Sequence, residues 1–257
     1  MGYDWTKRVV LITGASSGIG RALALELARR GAKLGLMARR AGALRELVAE
    51  VESAGGHALA LPVDVRDADA MRAAVVRAET EFGRIDVLIA NAGIGEPTLA
   101  ASLDPLMVAE IMAVNVNGAV NAVAAVLPGM LGRGAGQLVA ISSIAAYRGL
   151  PGSGAYCASK AALSSFFESL RAELQGTGVS VTTIHPGFVD TPMTRGRGQQ
   201  MPFLQTAEQA AQLILRAVEA RRRTYAFPWQ LATIGRLIRF FPDALYDRLM
   251  RRAAYRQ

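Results

Sequence analysis

Cysteine occurs once in 257 residues, at Cys157, so no intrachain disulfide can form and the disulfide framework of a small secreted domain is excluded. The lone thiol falls in a helical stretch, where a small packed side chain is expected. Histidine occurs twice, at His57 and His185, in apolar strand-like stretches with no companion at metal-ligand spacing; both are read as structural and no metal site is expected. The basic C-terminal part lacks aromatics interleaved on a stacking platform and carries no recognised DNA or RNA motif, so nucleic acid is not expected as a partner. No uninterrupted apolar run reaches the length of a bilayer-spanning helix. The chain enters an apolar strand within ten residues of Met1, which leaves no room for a secretory leader. These absences lead to the expectation of a cytoplasmic protein.

What is present is a surplus of positive charge, and most of it lies at one end. The formal balance is +8, and from Arg216 onward ten arginines stand against Glu219, Asp243 and Asp247, a local balance of +7.

Length and composition fit one large α/β domain with a substantial core. Short runs rich in Val, Ile and Leu alternate with longer segments of helical period. The runs are apolar throughout instead of alternating, as expected for strands covered on both faces. Strands are predicted at about Val9–Thr13, Lys33–Ala38, Ala58–Pro62, Val87–Ala90, Gln137–Ser142, Val179–His185 and Thr224–Phe227. Helices are predicted at Gly18–Arg29, Ala43–Ala54, Ala68–Phe82, Pro105–Leu131, Tyr156–Gln175 and Ala207–Arg221. Seven strands with right-handed helical crossovers make a doubly wound, Rossmann-type parallel sheet with a ligand crevice at the strand C-termini. Residues 1–227 form this unit, and 228–257 are expected to be an amphipathic, basic helical extension.

Two local patterns carry chemistry. Gly14 closes the first predicted strand, and Gly18 and Gly20 open a helix, within Thr13-Gly14-Ala15-Ser16-Ser17-Gly18-Ile19-Gly20. Bare backbone there lets a pyrophosphate approach the helix N-terminus, where unpaired N–H groups favour an anion. Further on, Tyr156 and Lys160 are four residues apart, so they share a helix face, and Ser143 lies thirteen residues before the tyrosine. An ammonium near a phenol favours the ionised phenol, and a phenol so tuned exchanges protons near neutral pH.

The glycine-rich turn, Asn91-Ala92-Gly93, Asn115, Ser143, Tyr156-x-x-x-Lys160 and Pro186-Gly187 occur in one order and spacing, and the chain to about Phe227 resembles the short-chain dehydrogenase/reductase family. The resemblance implies that Tyr156 is the acid/base, that Ser143 stabilises the reacting oxygen by a hydrogen bond, and that Lys160 both tunes Tyr156 and binds the nicotinamide ribose. Asn115 would hold a water that relays the proton. Cofactor contacts carried over in the same way are Gly14, Ser16, Ser17, Gly18, Ile19, Gly20, Asp64 and Val65 beside the adenine, Asn91, Ala92, Gly93, Pro186, Gly187, the Val189 backbone at the carboxamide, and Thr191 near the phosphates. Ala90 stands where the family often has a second Asn, a departure confined to a strand end. Ser142, next to the family's serine position, is expected to face away, since strand side chains alternate.

At the end of the second predicted strand, Leu34-Gly35-Leu36-Met37-Ala38-Arg39-Arg40, the acidic residue that would bind both ribose hydroxyls of NAD is missing. Ala38 takes its place and Arg39 follows, so a 2′-phosphate would meet a guanidinium, and NADP is the expected cofactor. Leu150, Phe188, Met193, Met201, Phe203 and Leu204 suggest an apolar substrate wall, while Arg195 and Arg197 either meet an acidic substrate group or face water.

In the extension, Ile234, Leu237, Ile238 and Phe241 follow helical spacing, with Thr233, Arg236 and Arg239 on the other side. Pro242 breaks the run, and Leu245, Leu249 and Ala253 form a second stripe flanked by Arg248, Arg251 and Arg252. This resembles the C-terminal extension of the membrane-associated hydroxysteroid and lipid-handling members of the family. Packing across a subunit interface, contact with anionic lipid, and docking of an acidic acyl carrier protein are the competing readings. A homodimer or homotetramer is expected, paired through Pro105–Leu131 and Tyr156–Gln175, whose Ala119, Ala122, Val123, Val126, Leu163, Phe166, Phe167 and Leu170 exceed what one face against a sheet requires.

The expected function is NADP(H)-dependent interconversion of a secondary alcohol and a ketone, a small hydrophobic molecule. A non-catalytic dinucleotide-binding sensor and an acyl-carrier-linked ketoacyl reductase are the alternatives. The intact Asn115, Ser143, Tyr156 and Lys160 set speaks against the sensor.

Overall fold

A computed structural model describes residues 3–195 and 201–254. Seven strands form one parallel sheet: β1 (Val9–Thr13), β2 (Lys33–Ala38), β3 (His57–Pro62), β4 (Val87–Ala90), β5 (Gly136–Ile141), β6 (Val179–Pro186) and β7 (Thr224–Phe227). Their order is β3-β2-β1-β4-β5-β6-β7. The chain leaves β1 toward one edge and returns to β4 beside it, so the order reverses between β1 and β4. That reversal opens the crevice at their C-terminal ends.

Alternation along β1 explains the two cores. Val10 and Ile12 point into a cluster with α1 (Gly18–Arg29), α2 (Ala41–Ser53) and α7 (Ala207–Glu219), through Leu23, Leu27, Leu44, Leu47, Ile214 and Leu215. Val9 and Leu11 point the other way, onto α3 (Ala68–Phe82), α5 (Gly118–Gly132) and α6 (Gly154–Glu173) through Met71, Val75, Val123, Val126, Leu163 and Phe167. Both faces are covered, which accounts for the uninterrupted apolar runs.

The helix predicted over Pro105–Leu131 is in fact three pieces: α4 (Pro105–Met112), a π turn over Ala113–Asn117, and α5. The wider π turn inserts a residue into the helical register and carries Asn115 to full burial. The whole of Pro105–Gly132 is long and apolar enough to cross a bilayer by length and composition, which corrects the expectation that no such run exists. Val114, Ala119, Ala122, Val123, Val126 and Met130 account for that hydropathy as a core face packed in the α3–α5–α6 layer.

The same burial corrects the case made for an oligomer. Six of the eight residues taken as surplus, Ala119, Ala122, Val123, Val126, Leu163 and Phe167, are buried within the chain, and Phe166 and Leu170 pack partly against the same core.

The extension forms α8 (Trp229–Ile238) and α9 (Asp243–Ala254). Its apolar residues do not make one stripe. Ala232 is buried and Leu231, Gly235 and Ile238 are half-buried against the body, whereas Ile234, Leu237, Phe240 and Trp229 face outward, Trp229 at 72% and Phe240 at 82% exposure. A short helix with apolar residues all round gives periodicity no means of choosing the packed side. Among the described side chains of α9, Tyr246 is buried, and Leu245 and Leu249 are exposed. The Arg252 and Ala253 side chains lie outside the described residues.

Candidate active site

The glycine-rich turn is shaped by contacts that admit no side chain. Gly14 has φ +67°, and a Cβ on it would fall 2.8 Å from the Ala92 Cα. A Cβ on Gly20 would lie 2.3 Å from the Gly14 carbonyl oxygen and 2.6 Å from Asn91 Nδ2. Helix α1 and the end of β4 therefore close on the turn as tightly as backbone allows. The Thr13 hydroxyl accepts hydrogen bonds from the Asn91 and Ala92 N–H groups, both at 3.0 Å, and Asn91 Nδ2 donates back to the Thr13 carbonyl at 3.0 Å. Ser17, the residue before α1, makes no side-chain capping bond, so the first-turn N–H groups stay open to an anion.

A cavity of about 200 Å³ follows, lined by Gly14, Ser17, Gly18, Ile19, Asn91, Ala92, Gly93, Ser143, Tyr156, Lys160, Pro186, Gly187, Val189, Thr191 and Met193. Next to it, a hollow of about 110 Å³ is bounded by Ala38, Arg39, Asp64, Val65 and Ile94, and the two share Gly14, Ala92 and Gly93. Ser16 faces a third hollow with Ser17, Gly18 and Arg21 on the outer side of the turn. Larger than the first two is a groove of about 430 Å³ behind β6, lined by Tyr147, Ser164, Glu168, Arg171 and His185. It touches neither the glycine turn nor Tyr156, so size does not select the site.

Of the residues expected at the site, Gly20 and Asn115 line none of these hollows and act from behind. Asn115 is fully buried: its Oδ1 accepts from the Ile94 N–H at 2.8 Å, and its Nδ2 donates to the Ile94 carbonyl and to Ser159 Oγ, both at 2.9 Å. These bonds engage the side-chain amide with protein, so a relay water would have to be held by Asn115's main chain. A Cβ on Gly93 would sit 3.3 Å from both Asn115 Oδ1 and Lys160 Nζ, which keeps this corner open to a ligand.

Lys160 is buried and its Nζ donates to the Ile141 carbonyl at 2.9 Å. Burial pulls its pKa down to about 8. The ammonium lies 5.8 Å from the Tyr156 ring centroid, as the four-residue spacing on α6 dictates. The Tyr156 ring passes over Gly95, where a Cβ would come within 3.0 Å of its Cδ2. Ser143 begins a 3₁₀ turn over Ile144–Ala146, its Oγ accepting from the Ala145 N–H at 3.1 Å. Ser142 points away, donating to the Lys160 carbonyl at 2.9 Å. His185 donates from Nδ1 to the Ser143 carbonyl at 3.2 Å, and burial lowers its pKa, which keeps the ring neutral.

Arg39 is exposed at the end of β2, and its charge helps hold the Asp64 carboxyl below the usual range, after the larger effect of the Arg66 hydrogen bonds. Asp64 is engaged by the Arg66 guanidinium at 2.6 to 3.1 Å, which leaves less of it for an adenine than the resemblance implies. Arg40, given no role from the sequence, donates to Ser16 Oγ at 3.0 Å and so ties the second strand's end to the glycine turn. Its adjacency to Arg39 was the only signal. Arg195 pairs with Asp190 at 2.8 and 3.2 Å, so within the chain it already has an acidic partner. Arg197 lies outside the described residues. Of the apolar residues expected to wall the substrate, only Met193 lines the cavity; Leu150, Phe203 and Leu204 are exposed.

The fold and the site together define a dinucleotide-binding α/β protein with a serine just past a strand end and a tyrosine and a lysine on helix α6. The sequence matches the short chain dehydrogenase family over residues 8–202, and the chain belongs to that family. It is 44% identical over 249 residues to an uncharacterized oxidoreductase of Myxococcus xanthus, covering 97% of this chain and 98% of that one. Among solved structures, a short chain dehydrogenase/reductase from Burkholderia phymatum in complex with NAD superposes with a TM-score of 0.82 at 30% identity, over 90% of this chain and 93% of that one. A 3-ketoacyl-ACP reductase from Sinorhizobium meliloti superposes with a TM-score of 0.78 at 32% identity, over 88% and 99%. The chain is thus an oxidoreductase of a nicotinamide-dependent family, and the side-chain-free cradle with its open helix N-terminus fits such a dinucleotide.

Proposed function

We propose that this oxidoreductase uses NADP(H) to interconvert a secondary alcohol and a ketone on a hydrophobic substrate. The observation that carries the reaction is the convergence of Ser143, Tyr156 and Lys160 on the cavity that continues from the glycine turn. The bound dinucleotide supplies or accepts the hydride. In reduction, the Tyr156 hydroxyl gives its proton to the substrate oxygen, and the Ser143 hydroxyl donates a hydrogen bond to the same oxygen as charge develops there. Lys160, held by the Ile141 carbonyl, presents its remaining protons to the ribose hydroxyls and to Tyr156. Asn115 fixes the loop at Ile94 against α6 and so holds the far wall.

Support for NADP is the missing acid at Ala38, with Arg39 exposed over the adenine hollow and Arg40 anchored on Ser16. The Burkholderia relative was crystallised with NAD, so the preference has to be measured on this chain. The deciding experiment is a screen of straight-chain 2-alkanones, aromatic ketones and a 3-ketoacyl thioester with NADPH and NADH, beside Tyr156→Phe. Tyr156→Phe should bind NADPH normally and lose turnover by about 10³-fold or more. Near-normal turnover by that variant would assign the proton to another group.

A peripheral position on a membrane is the setting proposed for this cytoplasmic activity. Its support is the outward face of the extension, where Trp229, Ile234, Leu237 and Phe240 accompany the exposed Arg236, Arg239, Arg248 and Arg251. Apolar insertion with basic residues beside it suits an anionic lipid surface.

A further inference from the structure

Arg148 lies five residues after Ser143, and the chemistry above gives it no task. Its side chain is only 17% exposed, and its bonds all run to the extension. Nη1 donates to the carbonyls of Ile238 at 2.6 Å and Phe241 at 2.8 Å, and Nη2 to the Asp243 carboxylate at 2.8 Å. The guanidinium lies 4.0 Å from the Tyr246 ring centroid, and the Tyr246 hydroxyl donates to the Gly149 carbonyl. Ile238 ends α8, Phe241 follows it and Asp243 opens α9, so the guanidinium sits at the junction of the two helices, where the C-terminal dipole of α8 favours a cation.

The helix so held presses on the catalytic turn. A Cβ on Gly235 would fall 2.8 Å from Tyr147 Cδ2 and 3.0 Å from Ile144 Cγ2, so α8 lies on the residues that follow Ser143 as closely as a helix can. At its other end, Leu231 and Pro228 meet Gly187, at 2.9 and 3.0 Å from where a Cβ would stand. The turn has few bonds of its own: Ala145 N–H to Ser143 Oγ at 3.1 Å, and Ala146 N–H to the Ser143 carbonyl and Tyr147 N–H to the Ile144 carbonyl, both at 3.0 Å. A single 3₁₀ turn is weakly self-supporting.

We infer that Arg148 is a positioning residue: it latches the C-terminal extension onto the Ser143 turn, and the latched α8 fixes the Ser143 hydroxyl for reaction. The inference rests on the oxidoreductase reading above, and extends it by giving residues 228–254 a part in the active site. The Arg148 fork matters as well as its charge, because it reaches two carbonyls, a carboxylate and a ring at once.

The test uses the full chain with Arg148→Ala, Arg148→Lys and Gly235→Val, and with Tyr156→Phe as the control for the underlying reading. Hydrogen exchange is followed at the amides of 145–147, NADPH binding by its fluorescence, and kcat and KM with whichever ketone of the screen turns over fastest. Arg148→Ala and Gly235→Val should each speed exchange at 145–147 at least tenfold. They should leave exchange in β1 and the NADPH Kd within twofold, and lower kcat by about 10- to 100-fold, the scale of a small misplacement of a reacting group. Arg148→Lys should recover part of both effects. Unchanged exchange at 145–147 in Arg148→Ala, or a kcat within twofold of the parent, overturns the inference. Turnover retained by Tyr156→Phe sinks the assignment of the proton to Tyr156 instead, and if no ketone of the screen is reduced, the exchange comparison decides the latch alone.

Discussion

Replacing Lys160 with methionine should make the protein more stable while removing its function. Burial pulls the lysine's pKa from 10.5 to about 8, so at pH 7 the folded chain holds a proton that it binds less tightly than the unfolded chain does. At about 1.4 kcal/mol per tenfold change in proton affinity, that charging penalty is on the order of 3 kcal/mol. The bond from Nζ to the Ile141 carbonyl offsets roughly half of it, and methionine leaves that carbonyl without its donor. The net gain at pH 7 is expected to be about 1–2 kcal/mol, or roughly 2–8 °C in Tm for a chain of this size. The sign with pH follows from which state binds more protons. Between about pH 8 and 10.5 the unfolded chain keeps the lysine proton and the folded chain has released it, so the parent gains stability as pH rises through that window. The variant lacks this gain, and its advantage should shrink and then reverse by pH 10.5. Urea melts of both proteins without added cofactor, at half-unit steps from pH 7 to 10.5, measure the difference directly. A stability difference that stays constant within about 0.5 kcal/mol over this range, or a variant less stable at pH 7, would refute the reasoning. With NADPH at a hundred times its Kd the parent should gain about 2.7 kcal/mol and the variant nothing.

Arg39→Ala should weaken NADP binding at least tenfold and NAD binding less than twofold, read by titration with each nucleotide; equal binding of both by the parent would end the cofactor assignment. Arg40→Ala should show a smaller loss in the same titration, because its bond to Ser16 shapes the turn. Gly20→Ala places a methyl 2.3 Å from the Gly14 carbonyl, so it should abolish dinucleotide binding and lower stability by about 1–3 kcal/mol, seen in melts and fluorescence titration. Flotation with anionic vesicles at low salt should recover the protein, and high salt or Trp229→Ala with Phe240→Ala should release it. If the parent ignores such vesicles while loss of residues 228–257 breaks an oligomer seen by light scattering, the extension is an assembly element.

The strands were legible because both faces of a parallel sheet are buried, so each run is apolar regardless of pleat; Val9 through Thr13 needs no other signal. The cradle was legible because only glycine tolerates the approaches at Gly14 and Gly20, and their spacing is fixed by the turn. The π turn at Asn115 was not legible. Hydropathy reports which face is buried, whereas this register change is set by Asn115 reaching Ile94 and Ser159, contacts invisible to a local window. The packed side of α8 was hidden for a related reason, since apolar residues occur all round it. Arg148 pairs with residues about ninety positions away, and nothing near it in sequence marks it as different from the solvated arginines around the chain.

The knitting of Thr13 to Asn91 and Ala92 ties the mouth of the cofactor crevice across two adjacent strands through three bonds of 3.0 Å. A crevice braced in this way has little left to arrange when a dinucleotide arrives. Association should therefore be a single phase whose rate rises linearly with nucleotide concentration, with no slower step after it. The heat capacity of binding should match the apolar area covered by the ligand, because the braced strand ends do not fold in the process.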